Sequence, residues 1–208
     1  RRSALGLLYE IEGNGLFSNG RIPEHWFSQN EIAVLQQMLQ KNMNCPRTSS
    51  VGRLFDAVAA ILSLQLKINY EGQAAMALEF VADPSETGFY DIEVLVEPSL
   101  CVDWEPMIHQ ISEDVRRDIP VNKISMRFHL TLSQVILKIA EYSGIQKVLM
   151  SGGCFQNVIL LERTIDLLRS NGFRPIWHQR VPPNDGGIAL GQIAVANRFS
   201  GVKKEPDS

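Results

Sequence analysis

The sequence of 208 residues predicts an α/β fold in which a parallel βαβ unit lies among amphipathic helices. The first observation is an apolar run at 147–150, which is followed by a glycine turn at 151–153 and an amphipathic segment at 157–170. The second is a strand-like run at 173–178, which comes directly after Gly172, a typical helix C-cap residue. A strand, a crossover helix and a second strand within about 30 residues are typical of two parallel neighbouring strands.

Apolar residues at helical spacing predict further helices on both sides of this unit. Ser28 and Glu31 have the spacing of a capping box at the start of the second helix. Alternating apolar residues at 92–96 predict a strand, and residues 101–104 are a candidate partner strand. We expect the strand at 92–96 to join the two strands of the βαβ unit in one mixed sheet with flanking helices. The other predicted helices cover about 3–11, 29–39, 50–64, 73–81, 106–115, 121–142 and 188–198.

The length of the chain allows one large or two small globular units with a proper core. Residues 1–201 are expected to form one unit, which begins with a helical segment at 1–45, and the polar residues 202–208 are expected to form a flexible tail. The chain does not begin with Met, so we expect it to be a piece of a longer protein.

Composition and charge exclude several classes of function. The net charge is -3, so there is no basic excess that would indicate a nucleic-acid-binding surface. No apolar run approaches the roughly 20 residues that span a bilayer, so no membrane association is expected. The three cysteines are scattered along the chain, which predicts a reducing compartment, the cytoplasm, rather than a disulfide framework.

Two loops carry the strongest indication of a site. The glycine turn at 151–153 and the PPNDGG loop at 182–187 follow neighbouring strands. In open α/β sheets, ligands bind at the carboxyl ends of the strands, where backbone amides at a helix start also favour anions. Gly152, Gly153, Asn157 and Asp185 should therefore converge on a nucleotide or phosphate site. The alternative is that both loops only turn the chain.

Four other residues have surroundings that favour a structural interpretation. Asp56 lies about 200° around its predicted helix from the apolar Val58, which favours a solvated carboxylate. Gly72 lies in a tight turn before a helix and fits an ordinary helix entry. His129 lies among apolar residues, as a core histidine does, and Cys154 fits a small buried hydrophobic residue better than a nucleophile.

Five segments resemble the C-terminal part of the HypF family of hydrogenase maturation carbamoyltransferases, in order from about residue 48 to residue 196. The resemblance implies the second half of a domain similar to the TsaD-type transferases, with the actin/Hsp70/sugar-kinase-like ATPase fold. The segments are TSSVGRLFDAVAA at 48–60, YEGQAA at 70–75, RFH at 127–129, SGGCFQN at 151–157 and VPPNDGGIALG at 181–191.

The resemblance also implies roles for individual residues. Asp56 would bind the nucleotide, together with the turn at Gly72 or Gln73 and the SGGxxxN motif, which contains Gly152, Gly153 and Asn157. Asp185 would be one ligand of a divalent metal, iron or zinc, whose two histidine ligands would come from the other half of the domain. Cys154 stands where the family usually has Val, a swap that conserves volume.

The function that the resemblance implies is carbamoyl transfer. The full protein would make carbamoyl-adenylate from carbamoyl phosphate and ATP. This domain would then pass the carbamoyl group to the C-terminal cysteine of the protein HypE during synthesis of the cyanide ligands of nickel–iron hydrogenase. We expect the isolated chain to bind ATP weakly and to transfer no carbamoyl group, because the fold binds nucleotide and metal between two halves. The alternatives are an enzyme domain of the dinucleotide- or SAM-binding type and a non-catalytic partner-binding fragment.

Overall fold

The computed structural model describes residues 1–18, 20–97 and 99–200. This part of the chain contains eight α-helices and four short strands, together with three 3-10 turns at Gly13–Phe17, Gly153–Gln156 and Asp185–Gly187. The helices are α1 (Arg2–Glu12), α2 (Gln29–Gln40), α3 (Val51–Ile61), α4 (Gln73–Val81), α5 (Glu105–Arg116), α6 (Val121–Ser143), α7 (Val158–Ser170) and α8 (Ile188–Ser200). The strands are β1 (Glu93–Leu95), β2 (Cys101–Asp103), β3 (Lys147–Met150) and β4 (Arg174–Trp177).

The helix predictions are confirmed, with differences of one to three residues at the ends. Ser28 and Glu31 form the predicted capping box of α2, in which each side chain bonds to the backbone of the other. The long helix α6 ends at Gly144, whose positive φ of 65° suits glycine because no Cβ resists it. The expected N-terminal helical segment therefore consists of α1, a 3-10 turn and α2, and the expected tail at 202–208 lies outside the described residues.

The prediction of one mixed sheet is wrong. Within the described residues, β1 pairs only with β2 in an antiparallel hairpin, and β3 pairs only with β4 in parallel. The segment at 93–95 satisfies its backbone with the candidate partner strand a few residues further on, because a short connection closes at low entropic cost. The parallel pair and its crossover helix α7 agree with the predicted βαβ unit.

The helix α6 joins two hydrophobic clusters. Its N-terminal half contributes Ile124 and Phe128 to a main core that is shared with α1, α3, α4 and α5. Its C-terminal half contributes Leu137 and Ala140 to a smaller cluster with Met150 of β3 and with α7. The loop at 151–157, which follows β3, lies between the two clusters, since Cys154 packs on the first and Phe155 on the second.

Two apolar surfaces stay exposed. Leu149 and Ile176 stand opposite each other in the β3–β4 register, and both are exposed. The helix α8 is exposed from Ile188 to Phe199. In the described part of the chain, no helix combines the length and the apolar composition that crossing a membrane requires.

Candidate functional site

The glycine turn after β3 is held in place by the second loop. Gly152 has φ 107° and ψ 160°, which side chains with a Cβ rarely adopt, and its amide donates to the Pro183 carbonyl oxygen at 2.9 Å. One residue earlier, Ser151 Oγ lies 2.9 Å from His178 Nε2, which joins the ends of β3 and β4 a second time. The predicted convergence of the two loops at one edge of the parallel pair is therefore confirmed.

The second loop is a tight turn of its own. The Asn184 side chain accepts a hydrogen bond from the Gly186 amide at 3.1 Å and so caps the short turn at 185–187. A Cβ at Gly187 would lie 2.7 Å from the Pro182 carbonyl oxygen, so only glycine fits this approach without a shift of the backbone. This turn leaves the carboxyl group of Asp185 exposed.

Asp185 is a possible metal ligand, but the described residues do not form a metal site around it. No group of three or more histidine, cysteine, aspartate or glutamate side chains could hold an ion within residues 1–18, 20–97 and 99–200. A single carboxylate supplies a hard oxygen ligand and leaves most of a coordination shell to be supplied from elsewhere. The role of Asp185 as a metal ligand stays a prediction.

The described residues leave backbone amides available in the glycine turn as well as at the predicted helix start. The start of α7 is partly occupied, because the Val158 amide donates to Glu79 Oε1 at 2.7 Å and the Leu160 amide donates to Asn157 Oδ1 at 2.8 Å. A 3-10 turn at Gly153–Gln156 separates the glycines from that helix. Across the part of the chain that the structure covers, the amides of Gly153 and Cys154 make no hydrogen bond. These two amides, which precede the helix start, are donors that an anion could use.

Asp56 is less solvated than its predicted position indicated. Its side chain is 16% exposed and pairs with Arg53 Nη1 at 2.8 Å. Burial raises the pKa of the Asp56 carboxyl above its ordinary value, and the nearby Arg53 opposes part of that rise. The prediction of a solvated carboxylate assumed that α3 buries only the face around Val58. In the structure Phe55 and Ala59 are also buried, while Val51 is exposed. The reason is that α3 packs against α1, α4 and the 3-10 turn at 153–156 at once.

Asn157 has a structural role in this structure. It is 5% exposed, its Oδ1 caps α7, and its Nδ2 lies 2.9 Å from His129 Nε2. His129 is fully buried, which confirms the core-histidine interpretation, and burial lowers its pKa to about 4. Sequence reasoning missed this bridge and the bond from Glu79 to α7, because neither pair has a local spacing that could indicate it. A nucleotide contact from Asn157 stays a prediction.

The remaining candidates have clear local structure. Gly72 is the N-cap residue of α4 and has a φ of 80°, which confirms the predicted tight turn before the helix. The Gln73 side chain accepts from the Asn69 amide at 2.7 Å, so its carbonyl oxygen is already used. The contact of α4 with the start of α7 comes from Glu79, about two turns further along the helix. Cys154 is half-buried against the main core, and burial raises the pKa of its thiol, which makes it a poor nucleophile.

Comparison with known proteins identifies the family. Residues 1–192 match the family model HypF_C_2, the second subdomain of the Kae1-like domain of carbamoyltransferase. The chain belongs to this family. A HypF carbamoyltransferase from Synechocystis sp. is 44% identical over 161 residues, which are 76% of this chain and 21% of the relative. A HypF carbamoyltransferase from Rhodobacter capsulatus is 36% identical over 168 residues, which are 78% of this chain and 21% of the relative.

The structural comparison agrees with the family. The chain is similar to a crystal structure of full-length HypF in the phosphate- and nucleotide-bound form, with a TM-score of 0.84 and 34% identity. That similarity covers 99% of this chain and 32% of the other. The chain thus spans about a fifth to a third of the length of these HypF proteins. The expected resemblance to HypF is confirmed, and it disfavours the dinucleotide- or SAM-binding alternative.

Proposed function

We propose that this chain supplies one wall of the nucleotide site of a HypF carbamoyltransferase domain. In the whole protein, that domain would transfer the carbamoyl group of carbamoyl-adenylate to the C-terminal cysteine of HypE during synthesis of the cyanide ligands of nickel–iron hydrogenase. Carbamoyl phosphate and ATP would be the substrates from which the full protein makes the adenylate. The observation that carries the proposal is the bond between Gly152 and Pro183, which builds one surface from both loops.

The backbone of this surface suits a phosphate. The unbonded amides of Gly153 and Cys154 can donate to phosphate oxygens. Space is left for that approach, because a Cβ built at Gly152 or Gly153 meets no atom within 4 Å. Asp56 is a partly buried carboxylate on a helix that contacts the same turn, and carboxylates accept hydrogen bonds from ribose hydroxyls. Gly72 and Asn157 are proposed as further contacts of the nucleotide.

The one cysteine of this wall is not an activated nucleophile. Cys154 is kept as a thiol by burial, so the attacking thiolate of the proposed transfer would come from the partner protein. Asp185 is proposed to complete a metal site whose other ligands lie outside this chain, where a bound iron or zinc ion would polarise the carbamoyl carbonyl. The contribution of Asp185 itself is an exposed carboxyl group in the loop that follows β4.

The proposal is tested by Asp185→Ala in the full-length protein. We expect loss of carbamoylation of the HypE cysteine, measured by mass spectrometry, together with reduced metal content. The free energy of unfolding should fall by less than about 1 kcal/mol, because an exposed loop carboxylate contributes little to the core. Asp166→Ala is the matched control, since Asp166 is an exposed carboxylate on α7 away from the two loops. Wild-type transfer by the Asp185 variant would contradict the proposed role of this loop.

A further inference from the structure

His129 connects the two sides of the candidate site. Its Nδ1 lies 2.8 Å from the Ser125 carbonyl oxygen on α6, and its Nε2 lies 2.9 Å from Asn157 Nδ2 at the end of the glycine turn. Its ring also meets the Phe55 ring at 5.6 Å between centroids, edge to face. Phe55 directly precedes Asp56 on α3.

The hydrogen-bond pattern permits only one arrangement of protons. The Ser125 carbonyl can only accept, so Nδ1 of His129 carries the hydrogen. In the neutral ring, Nε2 is then an acceptor, and it receives a hydrogen from the Asn157 amide group. The amide is fixed in the same sense from its other end, because Oδ1 of Asn157 accepts from the Leu160 amide. Every polar atom of this buried chain is satisfied, which orients Asn157 uniquely.

The orientation of Asn157 matters for the turn that precedes it. The 3-10 turn at 153–156 ends at Asn157, whose own amide donates to the Cys154 carbonyl oxygen at 3.2 Å. Fixing the Asn157 side chain therefore fixes the end of the segment that carries the unbonded Gly153 and Cys154 amides. The ring of His129 also contacts the ring of Phe55, so the same buried side chain holds α3 next to this segment.

We infer that His129 is a positioning residue of the nucleotide site, which holds the glycine turn in register with α3 by accepting a hydrogen bond from Asn157. This inference rests on the proposed function. His129 itself does not touch the nucleotide, since it is fully buried. Its contribution is to keep the donors of the turn in the conformation that a phosphate requires, so that binding does not have to order them.

Two substitutions in the full-length protein separate the two hydrogen bonds of His129. His129→Gln places an amide near the position of Nε2, where its oxygen can accept from Asn157, whereas His129→Asn is one methylene shorter and can replace only the bond to Ser125. We expect His129→Asn to weaken binding of a non-hydrolysable ATP analogue about tenfold in calorimetry, and His129→Gln to restore it to within about threefold of wild type. Amide exchange at 151–160 should rise in the Asn variant and stay near wild type in the Gln variant.

Thr164→Val is the control for general loss of stability. Thr164 is fully buried and donates from Oγ1 to Ser133 Oγ between α7 and α6. Ser133 Oγ in turn donates to the His129 backbone carbonyl oxygen, a group that both His129 substitutions keep. Loss of the Thr164 hydroxyl should lower the unfolding temperature without changing analogue affinity or exchange at 151–160. Equal affinity and exchange in the wild type and the His129→Asn variant would overturn the inference. Absence of analogue binding by the wild type would instead overturn the proposed function, and exchange would still decide whether His129 holds the turn.

Discussion

The loops after β3 and β4 resemble each other in sequence, but they differ in how closely the core packs against them. Each contains a Gly-Gly pair and an asparagine that caps the element after it, Asn157 for α7 and Asn184 for the turn at 185–187. Asn157 is buried and bonded to a core histidine, and the helix that it starts packs on α6. Asn184 is exposed, and helix α8, which follows its turn, is exposed from Ile188 to Phe199.

The two loops therefore contribute differently, the first through its backbone conformation and the second through an exposed side chain. The first loop supplies backbone donors, which are useful only in one geometry, and the core fixes that geometry through His129. The second loop supplies the exposed carboxylate of Asp185, which can meet groups from outside the chain. Removal of a side chain behind the first loop should therefore cost folding free energy, whereas removal of a side chain in the second loop should cost little of it.

The largest expected effect is acid destabilisation through His129. Burial holds its pKa at about 4 in the folded chain, against 6.5 for an ordinary histidine. Between these values the unfolded chain binds more protons, so stability is fully present above about pH 6.5 and is lost as the pH falls toward 4. The loss should reach about 3 kcal/mol in urea unfolding of the chain at successive pH values.

Variants show whether His129 is the group responsible. His129→Gln should flatten the dependence of unfolding free energy on pH between 4 and 6.5, because the titrating ring is gone. His25→Gln removes an exposed histidine and should leave it unchanged. A wild-type slope in the His129 variant would show that another group produces the acid transition.

The next effect compares the two asparagines directly. Asn157→Ala removes the cap of α7 and leaves His129 Nε2 buried without a donor, so we expect a loss of about 2 kcal/mol in free energy of unfolding. Asn184→Ala removes one bond to the Gly186 amide in an exposed turn and should cost about 0.5 kcal/mol. Chemical denaturation of both variants measures the difference. Equal losses would mean that the buried bridge adds nothing to a simple helix cap.

The sequence predicted the local parts of this arrangement well. Helical periodicity and capping residues set the helices, and the order of strand, glycine turn and helix predicted the βαβ unit, since each signal lies within a few residues. The convergence of the two loops followed from the direction of parallel strands. The family resemblance implied a metal-ligand role for Asp185, which lies in the loop that the structure presents as exposed. That role stays a prediction.

Long-range partners could not be predicted in the same way. The sequence indicated residues 101–104 as a partner for the strand at 92–96, but whether that strand also joins the parallel pair depends on how the helices between them pack. The solvated position expected for Asp56 assumed one buried face, whereas α3 is covered from several sides. The bridge between His129 and Asn157 joins residues that are distant in sequence, and helical periodicity contains no information about such a pair.

The smallest expected effect compares glycines in the two loops. In Gly187→Ala, the new Cβ would lie 2.7 Å from the Pro182 carbonyl oxygen and 3.1 Å from Val181 Cγ1, so the backbone must move. We expect a loss of about 1 kcal/mol, at the low end for overpacking, because an exposed loop can shift. Gly153→Ala should change stability by less than about 0.5 kcal/mol, since its Cβ would meet no atom within 4 Å and the φ of Gly153 is not positive.

The two alanine variants should reverse their order when nucleotide binding by the full-length protein is measured. The methyl group of Gly153→Ala enters the open space beside the Gly153 and Cys154 amides, where the proposed phosphate would approach, so affinity for an ATP analogue should fall. Gly187→Ala acts on the turn only through the bond between Pro183 and Gly152, and its effect on affinity should be smaller. A Gly153 variant that is both stable and fully competent in binding would show that no ligand approaches this side of the turn. Neither folding nor binding would then require the glycine, and the difference between the two loops would lie only in how the core supports them.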